Sequence, residues 1–221
     1  MNALIRIASF AAVLAAAAPA HAAVNLITNG TFDTPNYGSG NWGDSASGVS
    51  GWYNATDSIE IGSSSVYGLS CISTGCQNLE VNANQSPTVV TQTLTGLTPG
   101  QTYVVSFDYG VRNNADLSTV LTTSFAGASV TNSTAVDGSG WTLTTFDAVA
   151  TSTSETLSFY GVTDPCVGTC GNEVTNVSVS AVPEISTWAM MLLGFAGVGF
   201  AGVGFAGYRR TTNRLSGTAA A

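Results

Sequence analysis

The sequence predicts an all-β protein, in which a jelly-roll β-sandwich is preceded by an N-terminal signal peptide and followed by one C-terminal transmembrane helix. Three observations lead to this fold class. Residues 23–181 are rich in Gly, Ser, Thr, Asn and Val, the composition of many short strands joined by polar turns. Segments of alternating or β-branched residues recur there about every ten residues, as in sandwiches and barrels. The same region contains no apolar stripe of helical period and useful length.

Residues 1–22 have the layout of a secretory signal peptide. Arg6 supplies the positive charge, and the apolar run from Ile7 to about Ala18 is too short to span a bilayer comfortably. Ala20 and Ala22 give the small-x-small pattern that signal peptidase reads, so we expect cleavage after Ala22. Cleavage removes the only histidine, which excludes a Ser-His-Asp triad and a His-based metal site. The alternative is an anchor that stays attached.

The domain at residues 23–181 carries eight predicted strands. They are residues 58–61, 78–81, 88–94, 102–109, 118–125, 141–149, 155–160 and 174–179. Turn signals such as Thr98-Pro99-Gly100 separate them. In the fourth strand, period-2 alternation places Tyr103, Val105, Phe107 and Tyr109 on one face. This number and spacing of strands indicates a β-sandwich or jelly roll.

Three segments of the domain resemble those of jelly-roll carbohydrate-binding-module-like domains, which share the galactose-binding-domain-like fold. The segments are residues 25–33 (NLITNGTFD), 92–103 (QTLTGLTPGQTY) and 174–179 (VTNVSV). The resemblance implies the jelly-roll fold and a structural calcium ion near the opening segment, with Asp33 as its ligand. The aspartate that these domains have in the closing strand is Thr175 here. No other cofactor is expected.

The uncharged segment at residues 188–208 is about as long as a transmembrane helix requires. Arg209, Arg210 and Arg214 follow it directly. Because an excess of Arg marks the cytoplasmic side, the domain is expected outside the cytoplasm, with residues 211–221 as a short cytoplasmic tail.

The helix, its arginines and the residues before it resemble the PEP-CTERM sorting signal in its PEPxxWA form. The resemblance covers residues 182–210 and is carried by Val182, Pro183, Glu184, Trp188, Ala189, Arg209 and Arg210. The second proline of the motif is Ile185. Such tails are recognised by an exosortase, a membrane enzyme of Gram-negative bacteria with exopolysaccharide systems. The resemblance implies transient anchoring in the inner membrane, then release to the cell surface or extracellular space. A permanent anchor is the alternative.

The four cysteines are expected to form disulfides, because the protein is exported. Two local pairs, Cys71 with Cys76 and Cys166 with Cys170, are the simplest of the three connectivities, and the crosswise pairings stay open. A zinc site of four thiolates is the rival interpretation, although these spacings differ from the usual zinc-binding ones.

Charge limits the partners of the domain. Residues 23–181 contain twelve acidic residues and a single cation, Arg112, for a formal charge of −11. Nucleic acid is therefore excluded as a partner, since phosphates need clustered Lys and Arg. Glycan binding would use aromatic faces and polar groups. The main candidates are Trp52, Tyr53, Tyr67 and Arg112, and further ones are Trp42, Trp141, Gln92 and Asn113.

These features together predict an exported structural or binding protein of the cell surface or the exopolysaccharide matrix, sorted by an exosortase. The alternative is a carbohydrate-binding-module-like protein that binds a glycan. The third interpretation, a glycan-active enzyme, would need a carboxylate pair such as Glu60 and Glu80. A chain this rich in acids contains such pairs by chance, so we expect no enzyme activity.

Overall fold

The computed structural model describes residues 24–46, 48–54, 58–81, 89–113, 120–133, 140–161 and 171–183, which contain eleven strands and no helix. The strands are β1 (Trp42–Ser45), β2 (Tyr53–Asn54), β3 (Ile59–Ser63), β4 (Gln77–Val81), β5 (Val89–Thr95), β6 (Thr102–Val111), β7 (Val120–Phe125), β8 (Ala128–Ser133), β9 (Trp141–Val149), β10 (Ser154–Gly161) and β11 (Asn172–Ala181). A six-stranded sheet has the order β1-β3-β4-β11-β6-β9, and a five-stranded sheet has the order β2-β5-β10-β7-β8. Every pair is antiparallel, so the predicted all-β sandwich is confirmed.

Each of the eight predicted strands overlaps a strand of the structure. The predicted inward face of β6 is confirmed, because Tyr103, Val105, Phe107 and Tyr109 are all buried. The sequence analysis missed β1, β2 and β8. Two of these are four residues or fewer, and β8 (ASVTNS) carries small polar side chains on an edge, so it lacks an apolar alternation.

The core lies between the two sheets and is organised around a chain of aromatic rings. Trp52 stands between Phe32 and Phe159, with ring centroids 5.2 and 5.7 Å away. Phe159 in turn meets Phe107 edge to face at 5.3 Å. All four side chains are buried, so their packing contributes to holding the two sheets together.

The opening segment runs alongside the closing strand. The Leu26 amide donates to the Val179 carbonyl at 2.8 Å, and the Val177 amide donates to the Gly30 carbonyl at 2.9 Å. A side chain at Gly30 would clash with the Val177 carbonyl, which explains why this motif has glycine there. The beginning and the end of the domain therefore lie together.

Several predictions fall on residues outside the described ones. These are the signal peptide 1–22 with Ala20 and Ala22, the helix 188–208, the tail 211–221, the cysteines Cys166 and Cys170, and the motif residues Glu184, Trp188, Ala189, Arg209 and Arg210. No helix among the described residues is long and apolar enough to cross a membrane. Val182 and Pro183 are described, and the Val182 amide donates to the Thr102 carbonyl at 2.9 Å.

Candidate functional site

The outer surface of the five-stranded sheet carries two exposed tyrosines among hydroxyl side chains. Val90 and Phe159 point into the core, so their neighbours along β5 and β10 point outward. One outward row crosses all five strands. It consists of Tyr53, Thr91, Ser158, Ser124 and Ser129. We call this outer surface the tyrosine face, because Tyr53 in that row and Tyr160 beside it are 64% and 40% exposed.

Most of the rest of the tyrosine face is lined by threonine and serine, and Val89 lies beside Tyr160. Threonine hydroxyls pair across strands, Thr93 with Thr156 at 3.2 Å and Thr122 with Thr131 at 3.1 Å. A groove of about 530 Å³ opens on the same face next to the β7–β8 hairpin, and its lining includes Ser124, Ser129, Ser158 and Tyr160. The face thus offers hydroxyl groups next to each aromatic ring, from Thr91 beside Tyr53 and from Thr122 beside Tyr160.

Among the described residues, Glu155 is the one charged residue that lines this groove. Its carboxylate accepts hydrogen bonds from the Thr151 hydroxyl at 2.7 Å, the Thr151 amide at 2.9 Å and the Ser152 amide at 3.0 Å. The bonds from Thr151, helped by those from Ser152, lower the pKa of Glu155, so its negative charge is held in place at the end of the groove.

The two tyrosines are spaced to contact separate rings of one ligand. Tyr53 pairs with Thr91 on β5, and Tyr160 pairs with Val89, which lies two residues before Thr91 on the same strand. With strands about 4.8 Å apart and a rise of about 3.4 Å per residue, their Cα atoms lie roughly 12 Å apart on a diagonal. The phenol rings are apolar surfaces with a polar tip, as stacking on a hydroxylated ring requires.

The outer surface of the six-stranded sheet is different, because a row of carboxylates crosses it. In strand register the row reads Asp44, Glu60, Glu80, Glu173, Gly110 and Trp141. We call Glu60, Glu80 and Glu173 the acid row, and they are 8%, 1% and 0% exposed. Outward-facing glutamates are usually solvated, so something must cover them.

Residues 64–76, the connection from β3 to β4, fold back over the sheet and form this cover, which we call the cover segment. The Tyr67 hydroxyl donates to Glu60 Oε1 at 2.8 Å, and the Trp141 ring nitrogen donates to the Ser70 carbonyl at 2.8 Å. Any side chain at Gly62 would clash with the Tyr67 ring, so the glycine lets Tyr67 lie on the strand. The cover segment therefore keeps water from the acid row.

Arg112 is the cation of this buried cluster. Its Nη1 lies 2.6 Å from Glu80 Oε1, and its guanidinium stands 5.1 Å from the centroid of the Tyr67 ring. The Asn78 amide donates to Glu173 Oε2. Burial opposes a charge on Arg112, but the attraction and hydrogen bond of Glu80 outweigh it and raise the pKa of Arg112. One permanent positive charge thus faces three carboxyls.

Two of these carboxyls, Glu80 and Glu173, hold protons more tightly than a solvated glutamate does. Burial, followed by the hydrogen bond and charge of Glu60, raises the pKa of Glu80 from 4.5 to about 9, although Arg112 acts in the opposite direction. Burial, followed by the charge of Glu80, raises the pKa of Glu173 well above 4.5. Burial also raises the pKa of Tyr67, so its phenol stays a donor. The acid row is therefore partly protonated at neutral pH.

The structure separates the residues that the sequence analysis grouped as glycan-binding candidates. Tyr53 lies on the tyrosine face, but Trp52 is buried and its ring nitrogen donates to the Asn29 carbonyl at 3.1 Å. Tyr67 and Arg112 belong to the buried cluster on the other sheet. Tyr160 was not among the predicted candidates, although the alternation of Leu157 and Phe159 with Tyr160 in β10 is visible in the sequence.

Two further predictions concern Asp33 and the cysteines. Cys71 and Cys76 form the predicted disulfide within the cover segment, with Cα atoms 4.7 Å apart. Asp33 Oδ2 accepts from the Thr31 hydroxyl at 2.8 Å, whereas its Oδ1 is buried without a hydrogen bond. Such an oxygen suits a calcium ion, but among the described residues no three His, Cys, Asp or Glu side chains could together hold a metal. The calcium ligand therefore stays a prediction.

Glu60 and Glu80, named above as a carboxylate pair for glycoside hydrolysis, do face each other across β3 and β4. Both are buried beneath the cover segment. A glycosidic bond has no access to them in this conformation, so the pair offers no catalytic site.

No family model matches the sequence, and no curated protein matches it. Among solved structures, the chain is similar to a CBM4 domain (TM-score 0.40, 19% identity, 71% of this chain and 99% of that one). It is also similar to the CBM22-1 xylan-binding domain of Paenibacillus barcinonensis Xyn10C (TM-score 0.42, 12% identity, 75% and 99%). An α-L-arabinofuranosidase matches with TM-score 0.47 and 17% identity over 71% of this chain, which spans 26% of that enzyme. The chain spans 22% of a bacteriophage CBA120 tailspike protein that it also matches. These identities and TM-scores are too low to transfer a function.

Proposed function

We propose that the domain binds a neutral glycan on the tyrosine face. The observation that carries this proposal is the pair of exposed rings, Tyr53 and Tyr160, on a sheet surface lined mostly by serine and threonine hydroxyls. Sugar rings present apolar C–H faces and a rim of hydroxyl groups. The tyrosine face matches both, with rings for the faces and hydroxyls for the rim.

The charge of the domain favours a neutral glycan over an acidic one. Arg112 is its only cation, and it is engaged with Glu80 on the opposite sheet. The charge that borders the groove is the carboxylate of Glu155. An acidic polysaccharide would meet repulsion from a domain of formal charge −11 without a positive group to pair with.

Affinity electrophoresis tests this proposal. The full chain is run in native gels that contain xylan, β-1,4-galactan or a mixed-linkage β-glucan, with alginate as the acidic polysaccharide. We expect at least one neutral polysaccharide to retard the protein, and the double variant Tyr53→Ala/Tyr160→Ala to migrate freely. Trp42→Ala is the control, because Trp42 is 54% exposed but lies on the six-stranded sheet. Free migration of the wild type in all three neutral gels, or retardation by alginate alone, would refute the proposal.

We also propose that the chain reaches the cell surface or the extracellular matrix through exosortase sorting, as its C-terminal resemblance implies. The sorting motif begins at Val182, directly after β11 ends at Ala181. The polar, folded domain would therefore be released with its glycan-binding face complete. Mass spectrometry of the protein from the culture surface should find a C-terminus without residues 190–208. A surface form that retains them would overturn the sorting proposal and leave glycan binding unaffected.

A further inference from the structure

The acid row contains oxygen atoms that lack hydrogen-bond partners. Glu80 Oε2 and Glu173 Oε1 are both buried without one, and so is Arg112 Nε. Glu60, Glu80 and Glu173 stand directly opposite one another on neighbouring strands. A proton on a carboxyl turns one of these oxygens into a donor toward the next carboxyl, so protonation satisfies the oxygens that the structure otherwise leaves unpaired.

The acid row is surrounded by more acidic groups than basic ones. Among the described residues, the titratable and charged groups that face it are Glu60 from β3, Glu80 from β4, Glu173 from β11, Arg112 after β6 and Tyr67 from the cover segment. At the margins, Asp44 on β1 accepts from the Ser58 hydroxyl and Asp108 on β6 accepts from the Asn176 amide. From β9 the neighbour is Trp141, which is neutral. Full ionisation of the row would therefore leave two uncompensated negative charges in a dry site.

The acid row can be hydrated without unfolding the core. It lies on the outer surface of the six-stranded sheet, whereas the aromatic core lies on the inner surface. The cover segment stands between the row and water, and its ends meet where the Ser64 amide donates to the Cys76 carbonyl at 2.8 Å. Further hydrogen bonds hold the segment to the strands, among them those from Tyr67 to Glu60 and from Trp141 to the Ser70 carbonyl. Opening therefore breaks these surface contacts but none within the aromatic core, while the disulfide ties the second half of the segment internally.

We propose that the cover segment is a pH-operated lid, which closes over the acid row while Glu80 and Glu173 hold protons and opens as these two carboxyls ionise, with the sandwich intact. Closure places Tyr67 between Glu60 and Arg112, and opening gives the carboxylates to water. The raised pKa of Glu80 sets the direction: the closed state keeps a proton that the open state releases near pH 4.5. Closure is therefore strongest below pH 4.5 and weakens as the pH rises toward 9.

Hydrogen–deuterium exchange of the full chain between pH 5 and pH 9 tests the lid. The Asn113 amide reports on closure, because it donates to the Tyr67 carbonyl of the cover segment. After correction for the intrinsic exchange rate at each pH, its protection should fall up to about tenfold per pH unit for each proton released on opening. Protection of β10, in the opposite sheet, should stay constant. A lid protection independent of pH, or one that falls together with β10, would refute the proposal.

Two variants distinguish the effect of the acid row from the effect of the net charge of the domain. Glu173→Gln removes one titrating carboxyl from the row, so the fall of lid protection with pH should become shallower. Asp147→Asn removes one exposed carboxylate on β9 and should leave the wild-type slope. Equal slopes for wild type and Glu173→Gln would contradict the role of the row. Should Glu173→Gln not fold, the wild-type pH series decides alone.

Discussion

The exposure of Tyr53 allows the cost of removing it to be worked out. An aromatic side chain buries about 150–250 Å² when fully covered. Since Tyr53 is 64% exposed, a sugar ring stacked on one face would remove about 50 Å² from water. At about 25 cal/mol per Å², this contact contributes about 1 kcal/mol, so Tyr53→Ala should weaken glycan binding between about fivefold and tenfold. Tyr160, at 40% exposure, should account for about threefold.

Each variant is titrated with the neutral polysaccharide that retards the wild type most. Binding is measured by calorimetry or by migration in gels of increasing polysaccharide concentration. We expect the loss of affinity to decrease in the order Tyr53→Ala, Tyr160→Ala, Trp42→Ala, with the last equal to wild type. Both tyrosines are exposed, so the midpoint of thermal unfolding should hardly move. If Trp42→Ala weakened binding as much as Tyr53→Ala, the assignment of binding to the five-stranded sheet would be wrong.

Three further predictions concern stability. Glu80 has a pKa of about 9 in the folded domain and 4.5 when free, so its contribution to the unfolding free energy should fall by about 2–3 kcal/mol between pH 5 and pH 7. Urea denaturation at both pH values measures this fall, and an unfolding free energy that does not change would contradict the buried protonated state. Phe159→Ala, which removes the ring between Trp52 and Phe107, should cost about 3–5 kcal/mol in the same assay. The double variant Cys71→Ser/Cys76→Ser should lose about 2 kcal/mol or less, since the bridged loop is short, and should bind glycan like the wild type.

The strands could be predicted because their side chains alternate, and the same alternation explains what was missed. In β10, Leu157 and Phe159 point inward, so Tyr160 must point outward. At Trp52 and Tyr53 the rule says only that neighbours point to opposite sides. Which of the two is buried depends on the ring contacts of Trp52 with Phe32 and Phe159, which come from distant segments. The sequence therefore predicts which residues of a strand share a face, but it predicts which face is buried only when one residue of the strand is known to lie in the core.

The acid row could not be predicted in this way. Glu60, Glu80 and Glu173 each occupy an outward position of an alternating strand, where a glutamate normally meets water. Their alignment depends on the register between β4 and β11, which are separated by most of the domain in sequence. Their burial depends on how the cover segment folds, and no periodic pattern specifies that. The row thus results from register and loop conformation together.

The tyrosine face lies away from the two ends of the domain. Leu26 bonds to Val179, and the Gln101 side chain bonds to the Val182 carbonyl at 2.6 Å, so both chain ends leave beside the turn that follows β5. Strand β5 ends at Thr95, just before that turn. Thr91, the partner of Tyr53, lies four residues before this end, roughly 14 Å along the strand. Val89, the partner of Tyr160, lies six residues before it, roughly 20 Å along the strand. Tyr53 and Tyr160 therefore lie away from the ends of the domain.

This geometry gives a test in which two threonines are exchanged for the same residue. Thr91→Arg places a long side chain between Tyr53 and Ser158 and should abolish glycan binding, because it fills the space above the row. Thr98→Arg adds the same charge at the exposed turn beside the chain ends and should bind like the wild type. Both are compared in the polysaccharide gels with the full chain. Loss of binding in Thr98→Arg, with Thr91→Arg unaffected, would place the glycan at the turn that follows β5. The tyrosine face would then be an ordinary solvated sheet surface.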